Sequence, residues 1–170
     1  MHALQAAVLR FCEWCNASSF GTGIRDSVWL FPFVEIFHLL ALAILGGAVI
    51  VLNLRLVGAG FRNDSPAALH RDLRPWMIGS LVVMLVSGFL LFSTEAVKMY
   101  GNWAFQLKML FLVLAAVFTF TLHGRVTSRE ESSAAARWAV AVVSTILWLG
   151  VGLGGRAIGY VTTAATAATP

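Results

Sequence analysis

Four long apolar runs, separated by short polar stretches, organise this chain from Trp29 onward. They extend from Trp29 to Val57, from Trp76 to Thr94, from Trp103 to His123 and from Trp138 to Tyr160. A helix needs about 20 apolar residues to cross the hydrocarbon core of a bilayer, and each run meets that requirement. Trp29, Trp76, Trp103, Trp138 and Tyr160 stand at predicted ends, where the aromatic belts of membrane proteins form. Ahead of the runs, "MHALQAAVLRFCEWCNASS" lacks a basic segment followed by an unbroken apolar core, so it does not read as a cleavable leader. Leu4, Val8, Phe11 and Cys15 recur there at helical spacing, with Arg10, Glu13 and Asn16 on the other side. This pattern predicts an amphipathic helix lying on the membrane surface. The expected fold is all-α integral membrane. Residues 1–27 form the interfacial helix and a loop, 28–160 a four-helix transmembrane bundle, and 161–170 a flexible tail, "VTTAATAATP".

Composition strengthens this picture. Of 170 residues, 59% are hydrophobic and 12% charged, whereas a soluble domain carries about 25% charged residues. The net charge of +4 comes from basic residues in short loops, so it reflects topology and implies no nucleic-acid partner. The expected partner is the lipid bilayer. The connections are 58–75, 95–102 and 124–137, and Pro75 suits the first turn of the second helix, where a missing N–H costs nothing. The first and third connections with their flanks hold Arg55, Arg62, Arg71, Arg74, Arg125, Arg129 and Arg137, against Arg10, Arg25 and Lys98 on the opposite side. Cytoplasmic loops are the Lys/Arg-rich ones, so both termini are expected on the outer side. No Gly-rich phosphate loop, Ser/His/Asp arrangement or Cys-rich zinc pattern is present, which leaves ATP-driven and hydrolytic chemistry without a basis.

The candidate chemistry lies in ionisable residues inside the runs. At a rise of about 1.5 Å per residue, Glu35 falls roughly 9 Å and His38 roughly 13 Å below the outer aromatic belt. Lys108 falls roughly 7 Å below Trp103, and Arg156 roughly 6 Å below Tyr160. A charge near the bilayer centre costs about 2.5–3.5 kcal/mol on insertion scales, so such groups face the bundle interior and pair. Glu35 with Lys108 or Arg156 is the natural ion pair, either as a structural pin between helices or as part of a site. Glu35 and His38, three apart, share a helix face with Ala41, Leu42 and Leu45, and Gly46 lies beside it. An imidazole at this depth is either an axial ligand for haem iron or a histidine hydrogen-bonded to a neighbouring helix. Gly150 with Gly154, and Gly155 with Gly159, have the spacing of a close helix-packing seam. Cys12 and Cys15 form "CEWC", read as two interfacial cysteines, with a labile disulfide or metal contact as the alternative.

"WLFPFVEIFHLLALAILGG", "NLRLVG", "FQLKMLFLVLAAVFTFTLH" and "GRAIGY" resemble signatures of a bacterial family of uncharacterised four-helix membrane proteins, over about Phe20 to Tyr160. That family is distantly similar to the membrane domain of copper-resistance protein D and to HemJ-type protoporphyrinogen oxidase, a haem-binding membrane enzyme. The HemJ pattern has a histidine early in one helix, a Pro-Arg-Leu near its far end and a lysine early in a later helix. His38, Arg55-Leu56 and Lys108 occupy matching places, with Asn53-Leu54 in place of the proline context and no HemJ counterpart to "GRAIGY". The resemblance implies a multi-pass protein of the bacterial inner membrane with periplasmic termini, and haem b as cofactor.

Two layouts follow. In one, a single haem lies in the outer half, ligated by His38, with Met84 near the same level and Lys108 or Arg156 on the propionates. The other adds an inner haem between His70 and His123, a pair that reads equally well as two solvated loop-edge histidines. Three functions compete. The first is a cytochrome b-like subunit passing electrons between quinone or a periplasmic carrier and another membrane redox subunit, an oxidoreductase if catalytic. The second is a non-catalytic accessory subunit of a larger complex. The third is copper or small-solute transport, for which Met77, Met84 and Met109 are too scattered to form a ladder across the bilayer.

Overall fold

The computed structural model describes residues 2–61, 63, 65–128 and 133–167. In chain order the helices are α1 (His2–Ala17), α2 (Ser19–Asp26), α3 (Leu30–Leu56), α4 (Pro66–Thr94), α5 (Ala96–Tyr100) and α6 (Trp103–Phe118). A π-helical turn, Thr119–His123, carries α6 on into α7 (Gly124–Ser128), and α8 (Ala134–Ala167) completes the described chain. Four stretches, Leu30–Leu56, Pro66–Thr94, Trp103–Val126 and Ala134–Val161, are long and apolar enough to cross a membrane. A helix satisfies all its backbone hydrogen bonds within itself, which lipid requires of any spanning segment that is not part of a closed barrel. The protein is therefore an all-α, multi-pass membrane protein built on a four-helix bundle.

The bundle is two helix pairs, α3 with α4 and α6 with α8, joined where α3 packs on α8. Its core runs along one stripe of α3 (Ala41, Leu45, Ala48, Val49, Leu52), which meets Met77 and Met84 of α4 and Trp148 and Val151 of α8. The short helices α1, α2 and α5 gather at one end, the cap end. The α3–α4 connection and α7 lie at the other, the far end.

Span ends follow the expected positions where tryptophan marks them, as at Leu30 and Trp103, but α4 and α8 start earlier than predicted. α4 begins at Pro66, which takes the first helical position behind Ser65, whose hydroxyl accepts from the Ala68 N–H at 3.1 Å. Pro75 is thus inside the helix and not in its first turn, and His70 stands on α4 instead of in a loop. Ser133 likewise starts α8 ahead of Trp138, accepting from the Ala136 N–H at 3.2 Å. α8 continues through Ala167; residues 168–170 of the predicted tail, and Arg62 and Arg129 of the charge comparison, lie outside the described residues. α3 ends in a Schellman motif. Gly58, at φ 76°, donates to Arg55 and Ala59 donates to Leu54, so a residue with a Cβ would be strained at position 58.

The expected N-terminal helix is present as α1 and packs on the rest of the cap through part of its predicted stripe. Cys12 and Cys15 are 2% and 1% exposed, against Ala96, Phe92 and Tyr100, whereas Phe11 of the predicted apolar stripe is 49% exposed. α1 docks on α5 through its small thiols, and the larger Phe11 and Trp14 stack on each other facing outward, ring centroids 6.1 Å apart. Both cysteines are free thiols. The cap is pinned at Gly21. A Cβ there would stand 2.6 Å from the Ser93 carbonyl oxygen and 2.7 Å from that of Cys15, so α2 meets α4 and α1 backbone to backbone.

Candidate functional site

Polar side chains inside the apolar bundle gather at two levels. Nearer the cap, His38 stands three residues before Ala41 on the face of α3 that packs on α4. Its Nδ1 lies 3.0 Å from Ser87 Oγ. The Ser87 hydroxyl is committed to the Val83 carbonyl at 2.6 Å, so its oxygen accepts from the ring. That assigns the shared proton to Nδ1 and leaves Nε2 as the ring's basic nitrogen. Gly88 supplies the space: a Cβ there would come within 3.1 Å of His38 Cε1. The expected neighbour Met84 is buried in the core.

Lys108 approaches from α6. Its stem runs over the small residues of α8: a Cβ on Gly154 would stand 3.1 Å from Lys108 Cβ, and one on Gly155 would stand 3.6 Å from Nζ. The Gly150–Gly154 seam expected from spacing is therefore the α6–α8 contact, whereas Gly159 faces open space. Lys108 is half-buried. Among the described residues the ion pairs are Arg71–Asp72 and Lys98–Glu95, so the Lys108 ammonium has no carboxylate partner there.

Glu35 and Arg156 do not join this group. Both face outward, Arg156 with its guanidinium 5.9 Å from the Tyr160 ring centroid, and the expected pairing of Glu35 with Lys108 or Arg156 is not formed among the described residues. Spacing of three puts Glu35 near the His38 face but one turn closer to the cap. There a long polar side chain reaches the interface without entering the core.

At the far end a chain of hydrogen bonds, buried at His123 and Asn53 and exposed at Thr145, crosses three spans. His123 Nε2 lies 2.8 Å from Asn53 Oδ1, and Asn53 Nδ2 donates to Thr145 Oγ1 at 3.0 Å. The Thr145 hydroxyl donates to the Ala141 carbonyl at 2.8 Å. The π turn sets the position of His123: Thr119 and His123 are buried, with Phe120, Thr121 and Leu122 outward between them. Trp148 Nε1 donates to Thr119 Oγ1 at 3.0 Å, tying the same turn to α8. His70 adds the fourth span, its ring centroid 6.5 Å from that of His123 at an interplanar angle of 32°. His70 Nδ1 is buried and has no hydrogen-bond partner among the described residues. The two histidines predicted to share a depth are thus brought together. His123, 0% exposed, is not a solvated loop-edge residue, and His70 is half-buried on α4.

Sequence reasoning missed Ser87, Gly88 and Thr145, and met Asn53 only as a departure from a motif. Asn53 did carry a signal: an amide in the apolar stretch "VIVLNLRL" is costly in lipid unless a neighbour satisfies it. Among the described residues no three of His, Cys, Asp and Glu converge.

The chain belongs to a family of unknown function, DUF6644, whose family model matches residues 11–161 and so covers all four spans and both polar levels. No curated protein and no solved structure matches it.

Proposed function

We propose that this protein is a haem b-binding, cytochrome b-like membrane subunit of electron transfer, with His38 as axial ligand. The observation that carries this reading is the seating of the His38 ring, its Nδ1 held by Ser87 at 3.0 Å and its edge on Gly88. A ligating histidine needs its second ring nitrogen fixed by an outer partner, which sets the tautomer and the ring direction. Ser87 does this from α4, and Nε2 is left as the donor atom. Lys108, half-buried without a carboxylate partner among the described residues, is the group that would hold a propionate. The likeness of His38, Arg55-Leu56 and Lys108 to the HemJ-type pattern supports the same assignment. Haem, when bound, supplies one-electron transfer at its iron. The excess of arginine in the first and third connections supports an inner-membrane orientation with periplasmic termini. Quinone, a periplasmic carrier or another redox subunit would then exchange electrons on the cap side.

The test is the absorption spectrum of protein purified from haem-replete cells. The expected result is a Soret band that His38→Ala abolishes and Ser87→Ala shifts or weakens. A colourless wild type would overturn the reading.

A second reading, an accessory subunit of a larger complex, draws on Glu35, which presents a carboxylate outward from the first span without an ion pair among the described residues. On that reading Glu35→Gln loses a co-purifying membrane partner while the Soret band, if present, is unchanged.

A further inference from the structure

We infer that this protein pairs with a second copy of itself in the membrane through the outward sides of α3 and α8, with Glu35 of one protomer against Arg156 of its partner. Both residues lie within membrane-length helices, and both are exposed. Ionisable groups in a span normally turn inward and pair, because lipid offers a charge no counter-charge. Among the described residues neither has an ion pair, and the Arg156 guanidinium rests 5.9 Å from the Tyr160 ring centroid. Reaching the interface takes the Glu35 carboxylate out of the hydrocarbon. It stays at a boundary of low polarity, where an opposite charge counts for more than in bulk water.

Hydrogen bonds between the spans put the two charges at one depth. Asn53 is bonded to His123 at the far end. About five turns toward the cap from that pair lie Glu35 on α3 and Phe105 on α6. At the cap, Asn102 Nδ2 donates to the Ile158 carbonyl at 3.5 Å, which sets Asn102 and Ile158 level. Counted inward from there at about 1.5 Å per residue, Arg156 lies roughly 3 Å and Phe105 roughly 4.5 Å deeper. Glu35 and Arg156 therefore stand within one turn of each other.

They also share a side of the molecule. α3 packs directly on α8, so the outer sides of the two helices form one surface. Leu39 and Ala43 continue the exposed side of α3 from Glu35, and Leu149 and Leu153 continue that of α8 from Arg156.

Symmetry turns this placement into an interface. Identical chains insert in the same direction, so a closed pair has its two-fold axis along the membrane normal. That rotation keeps every residue at its own depth. Opposite charges at one depth on one surface then meet reciprocally, and two ion pairs form across the axis. In lipid, apolar faces gain little from each other, so polar pairs supply both affinity and register. A second copy already carries the complement of both charges, whereas an unlike subunit would have to bring each. Neither residue joins His38 or Lys108, so the pairing is independent of the haem assignment.

The experiment is energy transfer between donor- and acceptor-tagged copies of the full chain in phosphatidylcholine vesicles, over a range of protein-to-lipid ratios. Wild type should associate. Glu35→Arg alone and Arg156→Glu alone should each weaken association at least about tenfold, because like charges then face each other twice. Glu35→Gln, which adds no charge, should weaken it less. Mixed in one vesicle, the two charge-reversed variants should associate with each other as wild type does, since each then faces the opposite sign at both contacts. Circular dichroism should show the same helicity throughout, and any Soret band should persist in every variant. The vesicles hold no other subunit, so this association is distinct from that of an accessory partner. A wild type that stays monomeric, single variants that associate normally, or charge-reversed variants that fold but do not recover in mixture would each overturn the proposal. Should a reversed variant lose helicity, Glu35→Gln decides, and unchanged association would then overturn it.

Discussion

The ring of Phe111 occupies the space that a side chain at position 150 would need: a Cβ built on Gly150 would stand 2.6 Å from Phe111 Cδ1. One turn on, Gly154 meets Lys108 in the same way, with a Cβ 3.1 Å from that of the lysine and 3.3 Å from its Cα. Together the two glycines let α6 and α8 approach at the level where Lys108 enters the interior. In lipid, where apolar side chains gain little by leaving the acyl chains, this close contact is what holds two helices together.

Gly150→Ala and Gly154→Ala are accordingly expected to destabilise the bundle by about 1–3 kcal/mol each, the cost of overpacking a filled site. Gly152→Ala is the control. Its Cβ would meet nothing within 4 Å, and alanine in a helix interior gains about 0.5–1 kcal/mol over glycine. Thermal unfolding in one detergent, followed by circular dichroism, should separate the two outcomes.

Asn53→Leu should cost more than its similar volume implies. It leaves His123 Nε2 buried without its acceptor, a loss of about 1–3 kcal/mol. Thr145→Val removes the acceptor of Asn53 Nδ2 and the hydroxyl's bond to the Ala141 carbonyl. In a double-mutant cycle the two losses should fall short of additive, because both substitutions break the same Asn53–Thr145 bond. Additive losses would mean that the far-end chain does not act as a unit.

Burial pushes the thiols of Cys12 and Cys15 above the ordinary value of 9.0, and for Cys12 the neighbouring Cys15 and Glu13 add to the effect. Both should alkylate more slowly with iodoacetamide at pH 8 than in the SDS-unfolded chain. The sign for stability follows from the raised value. The contribution of the buried neutral thiols is fully present below the unfolded pKa of 9.0 and is lost as pH climbs through the higher folded value. The cap should loosen above about pH 9, read as faster proteolysis within α1. Cys12→Ala together with Cys15→Ala should flatten that dependence.

Much of the fold was legible before any coordinates. Hydropathy and tryptophan placement located α3 and α6 almost to the residue, and the four-residue glycine spacing identified the seam. The starts of α4 and α8 were less visible, because Ser65-Pro66 and Ser133 begin their helices in polar segments outside the membrane-length windows. Capping is a local hydrogen-bonding decision that a hydropathy average passes over.

The sequence by itself determined that the chain crosses a membrane and where, since an apolar run of that length has no other way to satisfy its backbone in lipid. It also determined that histidine and lysine would lie within those crossings. Which of them meet was decided only by the tertiary structure. In a soluble helix the buried face is marked by apolar residues; here the lipid-facing side is equally apolar, so periodicity does not tell inside from outside. The pairing of α3 with α4 turned His38 onto Ser87 and left Glu35 outward, and the convergence of all four spans at the far end brought Asn53, His70, His123 and Thr145 together.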